Sequence, residues 1–434
     1  MNRISKTISD HAANGLMQKA LIWSQKDDEM VFLESNKSVQ AIKQKYGEFD
    51  AILAVGAEKY LESDYQNSFQ KLKQFYEEQK DFLFGYFSYD LKNDIESLSS
   101  TNEDELNFPE LYFFQPKKIF LWKKNTLQLL YLPEYAASME ADLREIRQTK
   151  EQPTAELNQQ SIFSKLSKKT YFEKVGNVLE HIHRGDIYEV NFCQEFHAKN
   201  CEIDTLKVYE KLSKISQAPF ASYVKLKDKF LLCASPERFA KKEGEKIIVQ
   251  PIKGTARRLA DKIQDQKLAD SLVLDPKERA ENIMIVDLLR NDLSKNAVRS
   301  SVIVEELCKV YSFKQVHQLI STVVCHVNQK DHPVDIIKNL FPMGSMTGAP
   351  KISAMKIIEE EEETKRGLYS GAVGYFTPDH DFDFNVVIRS ILYNRSKRYV
   401  SFSVGSAITS QSVIENEYEE CLLKAKALKE ALSS

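Results

Sequence analysis

Two pairs of glutamates stand three residues apart in distant parts of the chain, Glu278 with Glu281 and Glu417 with Glu420. At that spacing both members share one helix face, where like charges are mildly unfavourable unless something positive lies between them. Two such pairs could converge on a hard cation. Magnesium takes oxygen ligands, keeps several waters and is often held by only one or two carboxylates plus substrate. From spacing alone, exposed helix acids explain either pair as well or better. Asp275-Pro276 before the first pair reads as an N-cap followed by a proline at the first helical position. Glu278 then falls where a capping box wants Glu.

Three glycine-containing segments suit the capture of an anion. Gly344-Ser345-Met346-Thr347-Gly348-Ala349-Pro350 precedes a predicted helix over Lys351 to Glu362, whose first N–H groups would face a carboxylate. Gly367-Leu368-Tyr369-Ser370-Gly371-Ala372-Val373-Gly374-Tyr375 reads as a glycine-interrupted strand, a sign of close approach by a ligand. Arg389 follows three apolar residues, so it should be inward-facing or at an edge, and a carboxylate is its natural partner, from substrate or from protein. Val404-Gly405-Ser406-Ala407-Ile408-Thr409 reads as a third turn. The acidic run Glu359 to Glu363 reads as the solvated end of a helix.

Elements that could position these groups follow from periodicity. Phe82 to Phe87, Lys118 to Trp122, Ile187 to Phe196, Ala221 to Lys225, Phe230 to Ala234 and Lys246 to Pro251 read as strands, and Tyr65 to Gln79 as a helix. Another helix from Ser167 stops at Arg184-Gly185-Asp186. Hairpin-like strand pairs recur, which favours an α+β fold with antiparallel sheets over a doubly wound parallel sheet. The polar stretch Lys150 to Gln160, with Pro153, reads as a boundary between an N-terminal region, 1–150, and a catalytic region, 164–432, both in one compact unit.

Composition narrows the partners. The chain has 434 residues, 42% hydrophobic and 28% charged, with formal net charge −3. No basic block marks a nucleic-acid partner, and no apolar run approaches the length of a membrane span. Six cysteines, without C-x-x-C or zinc spacing, read as buried free thiols in a reducing compartment. With no leader-like stretch from Met1 to Trp23, a cytoplasmic protein is expected.

Taken in order, Gly185-Asp186-Ile187-Tyr188-Glu189-Val190-Asn191, Ser235-Pro236-Glu237-Arg238-Phe239, Pro251-Ile252-Lys253-Gly254-Thr255, the Lys277 to Asp292 helix, the Gly344 to Lys351 turn and Glu417 to Glu420 resemble the chorismate-utilising enzymes. The resemblance covers Ser164 to Ala431. It implies a large αββα sandwich of antiparallel sheets with helices outside. It also implies Mg²⁺ between the acid pairs, with Glu281 and Glu420 as inner ligands and Glu278 and Glu417 beside them. The cation would hold the ring carboxylate of chorismate, and Arg389 and Tyr369 its pyruvyl carboxylate. Thr255, Gly405, Gly254, Ser345 and Asn191 would complete the substrate site, and His317 would line it beneath the ring. Read without the resemblance, His317 is a structural histidine on an apolar helix face.

Two positions then bear on the reaction. Relatives that add water carry lysine where this chain has Glu189, and relatives that use ammonia usually carry Gln, so the resemblance disfavours water. Lys253 matches aminodeoxychorismate synthases, where anthranilate synthases carry alanine. The implied chemistry is attack of Lys253 on ring C2, protonation of the departing C4 hydroxyl by Glu237, and addition of ammonia at C4 to give 4-amino-4-deoxychorismate, the p-aminobenzoate and folate precursor. Attack requires a neutral amine, so burial and the nearby cation should lower the Lys253 pKa. With no G-x-C-x-G glutaminase elbow, a glutamine amidotransferase subunit is the expected ammonia source. No fused lyase is apparent. Anthranilate synthase component I and a non-catalytic chorismate-binding subunit are the alternatives. Phe32-Leu33-Glu34-Ser35 faintly resembles a motif lining a tryptophan pocket in relatives, but reads as a core strand.

Overall fold

The computed structural model describes residues 3–9, 12–36, 46, 47, 49–150, 161–313 and 316–433. Of the boundary stretch Lys150 to Gln160 predicted from sequence, residues 151–160 lie outside the described residues. All six cysteines are free and buried. No helix of the described residues is long and apolar enough to cross a membrane.

Two antiparallel sheets share one long strand, Leu111–Lys123. Its second half pairs with Thr126–Tyr131, and its first half with Leu83–Phe87. From it the first sheet runs through Ala51–Ser63, Glu29–Glu34, Phe220–Leu226, Lys229–Ser235, Ser390–Asn394 and Tyr399–Thr409 to Glu189–Ala198. The second runs from Leu83–Phe87 through Ala372–Phe376, Phe382–Val386, Arg238–Glu243 and Lys246–Gln250 to Val316–His326, which also pairs with Ile252–Arg257. N-terminal strands are therefore interior members of both sheets.

Strand alternation builds the layers. In Ala51–Ser63, Ile52 and Ala54 enter one core, while Ala51, Leu53 and Val55 enter the other. The first core joins the two sheets and receives Ile285, Val286, Leu289 and Leu293 from the helix Pro276–Ser294. The second lies between the first sheet and the helices Lys168–Arg184, Thr205–Ser216 and Ile414–Leu432. The result is the αββα arrangement of an α+β protein.

Three local readings are corrected. Gly405 lies in the strand Tyr399–Thr409, not in a turn. Its neighbours Val404 and Ile408 bury in the core, and the pairing continues past it opposite Cys193. His317 lies on the strand Val316–His326, not on a helix. The glutamate run is not wholly solvated: Glu361 and Glu362 are buried, and Glu362 forms an ion pair with buried Arg366 at 2.6 Å. Pro350 is the N-cap of the helix Lys351–Glu361, as its place before the predicted helix suggests.

Candidate active site

The open ends of the two sheets meet where the candidate residues gather. Glu189 begins the last strand of the first sheet, and Lys253 lies on Ile252–Arg257 of the second. Lys253 Nζ donates to Glu189 Oε1 at 2.8 Å, bridging the sheets. Glu189 is 1% exposed, and its Oε2 is buried with no hydrogen-bond partner among the described residues. The expected lowering of the Lys253 ammonium is not seen. Burial pulls its pKa down, but Glu189, Glu281 and Glu237 outweigh burial and hold it above its ordinary value.

Glu237 precedes the strand Arg238–Glu243, and its backbone N–H donates to Ser235 Oγ at 3.2 Å. Burial pushes its carboxyl up to about 7, against a hydrogen bond from Ser345 and the charge of Lys253. Such a group carries a proton near neutrality, as a general acid must.

The capping predicted for the helix Pro276–Ser294 is present: Asp275 Oδ1 accepts from the N–H groups of Lys277 and Glu278. This fixes where Glu278 and Glu281 stand. Glu278 packs against Gly254, where an added Cβ would fall 3.1 Å from Glu278 Oε2; Gly254 also has φ +81°, which favours glycine. Lys277 Nζ is 3.9 Å from Glu281 Oε1 and 3.7 Å from Glu417 Oε1, so a positive charge already lies between the two acid pairs. Burial pushes Glu281 up to about 7; Lys253 opposes this, while Glu189 and Glu278 add to it. Burial also raises Glu420, but Lys424 at 2.6 Å more than offsets it.

No three carboxylate, imidazole or thiol groups among the described residues are close enough to cage a metal. The donor chemistry nonetheless fits a magnesium ion that keeps waters and shares a substrate carboxylate. It consists of carboxylates on two helices, one with its charge disfavoured by burial and by neighbouring acids.

Arg389, at φ +51°, is half-buried, and its guanidinium has no hydrogen-bond or ion-pair partner among the described residues. Burial lowers its pKa, against the charges of Tyr369 and Glu420. Tyr369 is buried and its hydroxyl accepts from Cys193 Sγ at 3.7 Å. At Gly405 an added Cβ would fall 2.5 Å from Cys193 Sγ and 3.3 Å from Asn191 Oδ1, so only glycine permits this strand to approach. Thr255 is exposed, beyond a register shift that separates it from Lys253. His317 has both ring nitrogens engaged by protein, Nδ1 with Ser312 at 2.8 Å and Nε2 with Asp265 at 3.0 Å. That double engagement ties the strand Val316–His326 to Ser312 on the neighbouring strand and to Asp265 on the helix Lys262–Leu274.

Sequence reasoning missed a buried hub. Arg366 donates to Glu362, to Met346 O at 2.6 Å and to Asn191 O at 2.7 Å, and Glu362 accepts from the Cys193 N–H at 2.9 Å. It fastens the Glu189–Ala198 strand to the Gly344–Met346 turn. The i, i+4 spacing of Glu362 and Arg366 was the available signal. A separate cavity is lined in part by Leu33, Glu34, Ser35 and Arg238, and none of the candidate site residues lines it. The Phe32–Ser35 segment is thus both a core strand and a cavity wall. Burial pushes Glu34 up to about 6 there, against a hydrogen bond from Tyr209.

Comparison with known proteins agrees with this architecture. The profile of chorismate binding enzymes matches residues 18–430. Aminodeoxychorismate synthase component 1 of Escherichia coli is 34% identical over 79% of this chain and 75% of its own length. Anthranilate synthase component 1 of Thermus thermophilus is 32% identical over 81% and 77%. The structure of anthranilate synthase component I from Streptococcus pneumoniae superposes with TM-score 0.77, 24% identity and coverage of 89% and 93%. The menaquinone-specific isochorismate synthase of Escherichia coli superposes with TM-score 0.79, 17% identity and coverage of 100% and 95%. A two-sheet scaffold whose open ends bring acids, a lysine and an arginine together, matched over nearly its whole length by one profile, belongs to the chorismate binding enzyme family.

Proposed function

We propose that the protein aminates chorismate at C4 to give 4-amino-4-deoxychorismate. The observation that carries this reading is Lys253, hydrogen-bonded to Glu189 and within electrostatic reach of Glu237, together with an Arg389 that has no partner among the described residues. Lys253 supplies the nucleophile at C2, and Glu237 supplies the proton to the departing C4 hydroxyl. Arg389, with Tyr369, meets the pyruvyl carboxylate, a natural fit for a guanidinium lacking a protein partner. Asn191, Gly254, Ser345 and Gly405 shape the wall around the ring. Glu281 and Glu420 would hold magnesium, backed by Glu278 and Glu417, and the ion supplies positive charge that neutralises the ring carboxylate. Ammonia would come from a glutamine amidotransferase subunit, and the product would feed p-aminobenzoate and folate synthesis.

Relatives named for anthranilate synthesis are about as similar as those named for aminodeoxychorismate synthesis, so Lys253 carries the choice between them. Incubation with chorismate, magnesium and an ammonium salt, followed by aminodeoxychorismate lyase, should yield p-aminobenzoate. Anthranilate without p-aminobenzoate would overturn the reading in favour of anthranilate synthase component I. No turnover with ammonia or with an amidotransferase would leave only a binding subunit.

A further inference from the structure

We infer that Glu189 is the base that removes the proton from Lys253 before the amine attacks, an inference that rests on the amination reading. The ammonium must shed a proton to become a nucleophile, and Glu189 Oε1 is already in contact with it at 2.8 Å. The other carboxylates facing Lys253 come from three elements and have other duties. Glu237, ahead of its strand, gives a proton rather than taking one. Glu278 and Glu281 on one helix, and Glu420 on the last, are the acids that would serve magnesium.

The Lys253–Glu189 pair is buried, and burial disfavours separated charges. Glu189 Oε2 is buried and accepts no hydrogen bond among the described residues, and an unpartnered buried carboxylate oxygen is costly. Once Oε1 is protonated, the new O–H donates to the neutral Nζ, and Oε2 becomes a weaker acceptor whose lack of a partner costs less. The buried ion pair becomes a neutral hydrogen-bonded pair, and the two groups act as one coupled unit holding a single proton.

The step balances. A proton moves from Nζ to Glu189 Oε1. The Nζ lone pair forms a bond to C2, the two ring double bonds shift by one position, and the C4–O bond breaks. The hydroxyl leaves as water with the proton of Glu237. Ammonia then bonds to C4, the double bonds shift back, and the C2–Nζ bond breaks. Neutral Nζ recovers its proton from Glu189, the new C4 nitrogen is an ammonium, and Glu237 is reprotonated by solvent. No oxidant or reductant is required.

The test is Glu189→Gln, which keeps an acceptor oxygen for Lys253 but cannot take its proton. Amination of chorismate is followed from about pH 6 to pH 9 at fixed free ammonia, with the product identified in each sample. If Glu189 is the base, the ratio of variant to wild-type kcat falls about tenfold for each pH unit on the acid side and approaches one at the alkaline end. Using the ratio cancels the titration of Glu237, which both proteins share. Glu189→Asp, which retains a carboxylate, should give a ratio that does not vary with pH. A pH-independent ratio for Glu189→Gln, or a variant that gains activity at low pH because its lysine is freed from a counter-charge, overturns the inference while leaving the amination reading intact. A wild-type product that is not 4-amino-4-deoxychorismate overturns both.

Discussion

Glu237 and Lys253 illustrate how far neighbours from other elements decide what a residue does. Burial pushes Glu237 up to about 7, so its proton is present below that pH and is lost as pH rises through it. The rate of amination should therefore decline on the alkaline side with an apparent pKa near 7, measured with free ammonia held constant. Glu237→Gln should remove that decline and lower kcat by about 10²–10⁴-fold, with chorismate affinity largely kept. An unchanged kcat would remove Glu237 from the chemistry. Residue types at this site were legible in the sequence because their motifs are dense in glycine, proline and charge. Protonation was not. The charge on Lys253 is set by Glu189, which is 64 residues away, and by Glu281 on a helix. Nor could the sequence show that His317 has both nitrogens engaged by Ser312 and Asp265.

At the scale of the element, caps and periodicities carried over well. Asp275 caps its helix as its position before Pro276 suggests, and the Lys168–Arg184 helix ends at Gly185 with φ +90°. Gly405 was misread because an isolated glycine signals a turn as readily as a strand against which another backbone must pack closely. Glu362 was misread because a run of acids looks solvated until a buried member is found paired with Arg366. Their contact sets the position of the strand bearing Glu189 and Asn191. Removing one partner of a buried ion pair leaves the other uncompensated, typically at about 3–5 kcal/mol. Glu362→Ala should therefore lower the urea midpoint, with the slope of the transition retained, and raise KM for chorismate because the strand and the Gly344–Met346 turn lose their tie. Wild-type stability and KM would show that the hub does not position the site.

The molecule as a whole is two sheets meeting through Leu111–Lys123, with strands from before residue 150 paired to strands from after residue 200 in both. Glu29–Glu34 lies beside Phe220–Leu226, and Leu83–Phe87 beside Ala372–Phe376. The α+β class was legible from hairpin-like pairs. The strand order was not, since these pairings join segments far apart in sequence and depend on cores filled from both regions. Trp23 and Trp122, the only tryptophans, both precede residue 150. Denaturant unfolding followed by their fluorescence and by far-ultraviolet dichroism should coincide in one transition. Separate midpoints would show that the N-terminal region folds on its own.

The central claim is that Lys253 is a nucleophile, and its covalent intermediate can be sought directly. Wild-type protein held with chorismate and magnesium in the absence of ammonia, then quenched and digested, should carry the mass of chorismate less one water on the peptide containing Lys253. Lys253→Ala should carry none, and added ammonia should discharge the adduct. An unmodified Lys253 peptide from protein that makes 4-amino-4-deoxychorismate under the same conditions once ammonia is supplied would contradict the account.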